Sequence, residues 1–229
     1  MSTSNKKIAL LTFALSSQEE IKSKPFLAQK KLAKSLNGHI KKLSKSSGLP
    51  VFNYDETKQV GNSFGARFSN AIQSIMNRGY DAVITIGNDS PELNLNHIRK
   101  AEKTVKNGST VLGPSHDGGF YLLGITKENF DYNTFLNYSW NTTYLFDEVI
   151  HNLEVNDQNY VTLQKLNDID LVCDLEKLCI SNISTIELRK IIQSIRVKNP
   201  AKYSYTNLSE LDCIFPRILN KGSPFSLAI

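Results

Sequence analysis

The feature that most constrains this chain is an alternation: short, almost wholly apolar runs are followed by stretches with helical spacing. Ile8 to Leu15 is rich in Ile, Leu and Phe, the pattern of a strand buried on both faces of a parallel sheet. From Gln18 to about Ser47, Leu32, Leu36 and Ile40 recur every four positions among lysines, broken at Pro25 and Asn37-Gly38, which predicts one or two surface helices. Gly48 to Tyr54 reads as a shorter second strand. Ser63 to Arg78 places Phe64, Phe68, Ala71, Ile72, Ile75 and Met76 on one stripe closed by Gly79, a helix with a glycine C-cap. Asp81 to Gly87 is again strand-like and runs into Asn88-Asp89-Ser90-Pro91. Asp89 is thus expected just past a strand's carboxyl end, the edge at which open α/β sheets bind ligands. A helix over Leu95 to Asn107, a strand over Ser109 to Gly113, a tight loop to Gly119 and a strand from Phe120 to Gly124 follow. Thr143 to Leu153 and Thr185 to Ile195 also carry helical spacing, and periodicity weakens from Lys198 onward. Alternation of this kind predicts an α/β fold with a mainly parallel sheet covered on both faces.

With 229 residues, 40% of them apolar, the chain is expected to form one domain over residues 1–229, since it shows no repeat or linker. Its formal charge of +5 favours anionic ligands, phosphate-bearing small molecules among them. The run from Lys22 to Lys45 lacks the dense basic stripe interleaved with aromatics of a nucleic-acid reader and reads as solvated helix faces. Cys173, Cys179 and Cys213 are odd in number and form no metal-ligand spacing, which implies a reducing compartment and no structural zinc. The N-terminal apolar run is short and leads into Ser-Ser-Gln-Glu-Glu without a cleavage pattern, so it reads as a strand and not as a signal peptide. No stretch approaches the roughly 20 apolar residues that cross a bilayer. The expected location is the cytoplasm; oligomeric state is not read from the sequence.

Three loops supply carboxylates: Asp89, Asp117, and the group Asp168, Asp170 and Asp174. A hard ion such as Mg²⁺ or Mn²⁺ binds one or two carboxylates and completes its shell with water and substrate phosphate oxygens, which separate loops at one sheet edge could supply. Asp89 before Ser-Pro also suits a turn or a helix N-cap. Asp117-Gly118-Gly119 suits either a turn or close approach of a ligand to the backbone. Asp168 and Asp170 share a face if the backbone is extended, and Asp174 is expected to cap a helix beginning at Leu175. His39, His97 and His151 are expected on solvated helix surfaces, while His116 beside Asp117 is either a turn residue or an anion contact. The segment contains no P-loop, dinucleotide-binding glycine motif or nucleophile elbow.

Taken in order, GNSFGARFSNAI, GNDSPEL, VLGPSHDGGFYLLGI, SWNTT and DIDLVCDL resemble a bacterial family of glycosyltransferase-like proteins. That family is related to phospholactate and molybdenum-cofactor guanylyltransferases and shares the three-layer GT-A, nucleotide-diphospho-sugar transferase fold. The resemblance covers about residues 60 to 178 and leaves roughly 183 to 229 outside it. It implies that Asp89 is the principal metal or diphosphate ligand, with Asp170 and neighbouring Asp168 as the second metal-side carboxylates for Mg²⁺ or Mn²⁺. It further implies that Asp117, with Gly118 and Gly119, lines the donor-sugar or acceptor pocket, that Trp140 and Thr142 border the acceptor, and that Arg67 either reaches a phosphate or pairs on a helix surface. In the family's relatives a glycine-bearing segment follows the first strand; here Ala14 to Pro25 contains no glycine, and Lys22 and Lys24 read as exposed helix lysines with phosphate contact as the alternative. Because glycine-rich backbone amides normally wrap a triphosphate, this departure favours glycosyl transfer from a nucleotide-diphospho-sugar. A nucleotidyltransferase and a non-catalytic nucleotide-binding descendant are the alternatives.

Overall fold

The computed structural model describes residues 6–24 and 30–198. Six strands, β1 (Ile8–Phe13), β2 (Val51–Tyr54), β3 (Ala82–Ile86), β4 (Thr110–Pro114), β5 (Phe120–Thr126) and β6 (Tyr160–Thr162), form one sheet in the order β2-β1-β3-β5-β4-β6. The β1 strand pairs in parallel with β2 and β3, and β4 in parallel with β6, while β5 runs antiparallel to β3 and β4. Every strand except β5 therefore points the same way. The carboxyl ends of β1, β3, β4 and β6 share one edge with the amino end of β5.

The period-two alternation of the apolar strands explains why helices cover both faces. Ala9, Leu11 and Phe13 join Val83, Leu112 and Leu123 in one core, with side chains from α3 (Phe64–Met76), α5 (Tyr132–Asn137) and α6 (Leu145–Val155). Ile8, Leu10, Ile84 and Ile86 face the opposite core with α2 (Lys30–Ser46) and α4 (Leu95–Lys106). Nearer the start of α2, Leu32, Ala33 and Leu36 pack in a third cluster with Leu175 of α7 (Asp174–Lys177) and Leu188 and Ile192 of α8 (Ile186–Lys198). The stretch from Gln18 to Ser47, predicted as one or two helices, holds two, α1 (Ser17–Ser23) and α2. Short elements with little periodicity, β6 and α5, were not legible in the pattern, whereas the helix expected from Leu175 is present as α7.

Two histidines expected in solvent are instead buried. His39 on α2 lies 2.9 Å from the Leu93 carbonyl through Nε2 and 2.8 Å from the Thr185 hydroxyl through Nδ1. Because a carbonyl only accepts, His39 Nε2 carries the proton and Nδ1 accepts from Thr185. His97 is built into the α4 N-terminus, its Nδ1 accepting from the Asn94 amide at 3.2 Å. His151 is exposed, as read from the sequence. Among the described residues no helix is long and apolar enough to cross a membrane, and Cys213 lies outside the described residues.

Candidate active site

Sheet geometry gathers the three carboxylate loops. Asp89 follows the end of β3, and Asp117 sits at the tip of the hairpin between β4 and β5. Beyond β6 the chain keeps running beside β4: the Leu166 amide donates to the Pro114 carbonyl at 3.1 Å and the His116 amide to the Leu166 carbonyl at 3.1 Å. Next, the Ile169 amide donates to the Asp89 carbonyl at 2.9 Å, which lays Asp168 and Asp170 beside the β3 loop. Asp89, Asp117, Asp168 and Asp170 line one cavity. The Ser90 hydroxyl donates to Asp168, and Asp117 accepts from the Ser115 hydroxyl and, at 3.0 Å, from the Gly119 amide.

Asp174 was expected to cap the next helix. It is instead the first residue of α7, and its Oδ2 reaches back to accept the amides of Asp170 at 3.2 Å and Leu171 at 2.8 Å. This carboxylate fixes the backbone that carries Asp170, and Lys177 pairs with its other oxygen at 3.0 Å.

The largest correction concerns Lys24. Lys22 is exposed and pairs with Glu19 at 2.6 Å, as a helix-surface lysine does. Lys24 is 1% exposed. Its ammonium lies 2.8 Å from Asp89 Oδ1, 3.0 Å from Asp170 Oδ1 and 3.9 Å from Glu20 Oε2, and donates to the Ile169 carbonyl at 3.1 Å. Burial lowers an ammonium's pKa, but Asp89, Asp170 and Glu20 outweigh it and hold Lys24 well above the usual lysine range. Burial and the Asp89 charge push Glu20 up to about 7 against the pull of Lys24. Burial also raises Asp170 despite Lys24, and burial together with Asp117 and Asp170 pushes Asp168 up to about 8.

Burial is the largest cause of the three carboxyl shifts, and the neighbouring carboxylates add to it. Among the described residues no three His, Cys, Asp or Glu side chains converge as a metal cage. The pair Asp89 and Asp170 does converge, on the Lys24 ammonium. Two carboxylates with room for water and phosphate oxygens suffice for Mg²⁺, so this donor set fits a hard divalent cation at the place the ammonium takes.

The other side of the cavity is aromatic. Phe13, Phe64, Phe68 and Phe120 line it, with Phe68 5.2 Å from Phe13 and 5.9 Å from Phe64 between ring centroids. Trp140 is not among the lining residues. It stands behind them, 5.0 Å from Phe68 and 5.9 Å from Phe120, with its indole N–H donated to the Phe135 carbonyl at 2.7 Å. Its close fit depends on Gly65, where a Cβ would fall 2.6 Å from the indole nitrogen.

Thr142 donates to the Ser139 carbonyl at 2.7 Å within a turn. Arg67 is buried on α3, its pKa lowered by burial, and does not line the cavity. Gly118 has φ +89°, and a Cβ there would meet the Thr143 carbonyl oxygen at 2.0 Å. What closes on that glycine is the chain's own backbone, sealed by the Phe146 amide donating to the Gly118 carbonyl at 2.9 Å. The structure thus unites Asp89, Asp117, Asp168 and Asp170 around one cavity and leaves Gly118, Gly119, Arg67, Trp140 and Thr142 out of its lining.

Residues 38–142 match the model of a family described as "Uncharacterized protein conserved in bacteria (DUF2064)". No curated protein sequence matches the chain. Among solved structures, one from Desulfovibrio desulfuricans G20, described as a "putative nucleotide-diphospho-sugar transferase", aligns with TM-score 0.68 and 20% identity over 86% of this chain and 96% of that one. That likeness shows the fold: a mixed α/β, mostly parallel six-stranded sheet flanked by helices, of the nucleotide-diphospho-sugar transferase kind. More distant are a glycosyltransferase involved in glycosylation of the PBCV-1 major capsid, with 12% identity, TM-score 0.42 and coverage of 69% of this chain and 81% of that one, and Rv0371c from Mycobacterium tuberculosis H37Rv complexed with manganese, with 10% identity, TM-score 0.40 and coverage of 75% and 97%.

Proposed function

We propose that this protein transfers a glycosyl group from a nucleotide-diphospho-sugar to an acceptor with the help of Mg²⁺ or Mn²⁺. The observation that carries this reading is the approach of Asp89 and Asp170 oxygens to within 3.0 Å of one cationic centre at the carboxyl edge of the sheet. Asp89 and Asp170 would hold the ion, with Asp168 beside them. When bound, such an ion neutralises charge developing on the departing diphosphate.

Electrostatics support the assignment. Glu20, Asp89, Asp117, Asp168 and Asp170 all line the cavity, so a diphosphate needs an accompanying cation to enter. Asp117, oriented by Ser115 and Gly119, faces the same space from the β4–β5 hairpin. Its place suits alignment of an acceptor hydroxyl or removal of its proton. The phenylalanine side offers an apolar surface for the face of a ring, backed by Trp140.

The test incubates the wild type and Asp89→Asn with nucleotide sugars and, separately, with nucleoside triphosphates, each with and without Mn²⁺, and identifies the released product. The expected result is Mn²⁺-dependent release of nucleoside diphosphate, lowered at least about 100-fold in the variant. Pyrophosphate released from a triphosphate would replace this reading with nucleotidyl transfer. Nucleotide binding that survives Asp89→Asn without any turnover would replace it with a non-catalytic binding role.

A further inference from the structure

A lysine enclosed to 1% exposure and aimed at two carboxylates calls for an explanation beyond helix stability. Lys24 sits at the C-cap of α1, a helix of only seven residues, and its ammonium bonds to the Ile169 carbonyl, 145 positions later in the chain. A simple i,i+4 surface pair with Glu20 would need none of this; the Glu20 contact, at 3.9 Å, is in fact the longest of its ion pairs. Between Asp89 and Asp170, which the Ile169 amide on the Asp89 carbonyl already brings side by side, the ammonium offsets the repulsion of the two carboxylates. The Lys24 contacts hold them converged, with the Asp174 carboxylate fixing the Asp170 backbone from behind.

We infer that Lys24 is the positioning residue of the cation site: it keeps Asp89 and Asp170 assembled while the site is ion-free, and a divalent ion binds only by displacing its ammonium. This rests on the reading that a divalent ion binds between those two carboxylates. Metal–oxygen distances for Mg²⁺ are about 2.0–2.1 Å, and an ammonium hydrogen-bonded to the same two oxygens would be left a few ångströms from the ion. Two like charges that close exclude each other. Ion binding is therefore an exchange, and the apparent affinity of the site contains the free energy of releasing Lys24.

The exchange is read in the intact wild-type protein without nucleotide, by labelling lysines with an amine-reactive reagent and mapping the modified peptides by mass spectrometry. Lys22, whose side chain is 72% exposed, is the internal reference. Without metal, Lys24 is expected to label at least about 10-fold more slowly than Lys22, in keeping with its burial. Saturating Mn²⁺ is expected to bring Lys24 close to the Lys22 rate while leaving Lys22 unchanged. In parallel, free Mn²⁺ is followed by its electron paramagnetic resonance signal in wild type and Lys24→Met, and the variant is expected to bind Mn²⁺ at least about 10-fold more tightly.

Mn²⁺ binding that leaves Lys24 protected overturns the inference while preserving the metal site, and so does a folded Lys24→Met protein that binds Mn²⁺ no more tightly than wild type. Failure of both proteins to bind Mn²⁺ overturns the inference and the metal-dependent reading together. If Lys24→Met does not fold, the wild-type labelling result alone decides.

Discussion

The acidic rim of the cavity and its aromatic floor are assembled by different forces. On the rim, positions are set by charge and hydrogen bonds: Lys24 between Asp89 and Asp170, and Asp174 on the amides of Asp170 and Leu171. On the floor, Phe13, Phe64, Phe68 and Phe120 are wedged against one another and against Trp140, with Gly65 providing the clearance. Packing of that kind is insensitive to ions and pH, because no charge is involved. A rim held by ionic contacts rearranges when a cation or proton arrives. The difference suggests how a site can admit a highly charged donor while keeping a fixed surface for an uncharged group.

Breaking the floor should have the largest effect. Phe68→Ala removes a buried ring and is expected to lower stability by about 3–5 kcal/mol, to the same extent with and without Mn²⁺, as measured by urea denaturation. A loss that Mn²⁺ restored would mean that floor and rim are not independent.

Next in size is the backbone latch of the rim. Asp174→Ala leaves the Asp170 and Leu171 amides without that acceptor and should cost about 1–3 kcal/mol in the same assay. A neutral outcome would show that the Asp170 loop holds its shape without the latch.

The smallest effect expected is a pH dependence. Burial lowers the His39 pKa below 6.5, so the folded protein binds this proton less readily than the unfolded chain. The associated stability is present above the unfolded pKa and is lost as pH falls below about 6.5 toward the folded value. Thermal melts at pH 7.5 and 5.5 should show a smaller acid-induced drop in His39→Gln than in wild type. Equal drops would remove His39 from the groups that make the fold acid-sensitive.

What could be read from the sequence follows from how local each signal is. The run from Asp81 to Gly87 announces its own burial, and Asp89 comes with it because the carboxyl edge is where such a strand ends. Lys24 gave no comparable signal. Spaced four residues from Glu20, it looks like any helix-surface pair, and its burial depends on Asp89 and Asp170, which folding brings from far along the chain. His39 is hidden for the same reason, by Thr185. Family resemblance carried Trp140 and Thr142 to the neighbourhood of the site, but only packing reveals that the indole stands one ring behind the cavity wall.

That indole has a spectroscopic consequence. The chain contains a single tryptophan, and it lies in ring contact with Phe64, Phe68 and Phe120. The whole intrinsic tryptophan emission of the protein therefore originates beside the cavity floor, and a ligand resting on those phenylalanines would sit one ring from the fluorophore. The fold thus carries a native optical reporter one ring behind the wall of the site, with no second tryptophan to dilute its signal.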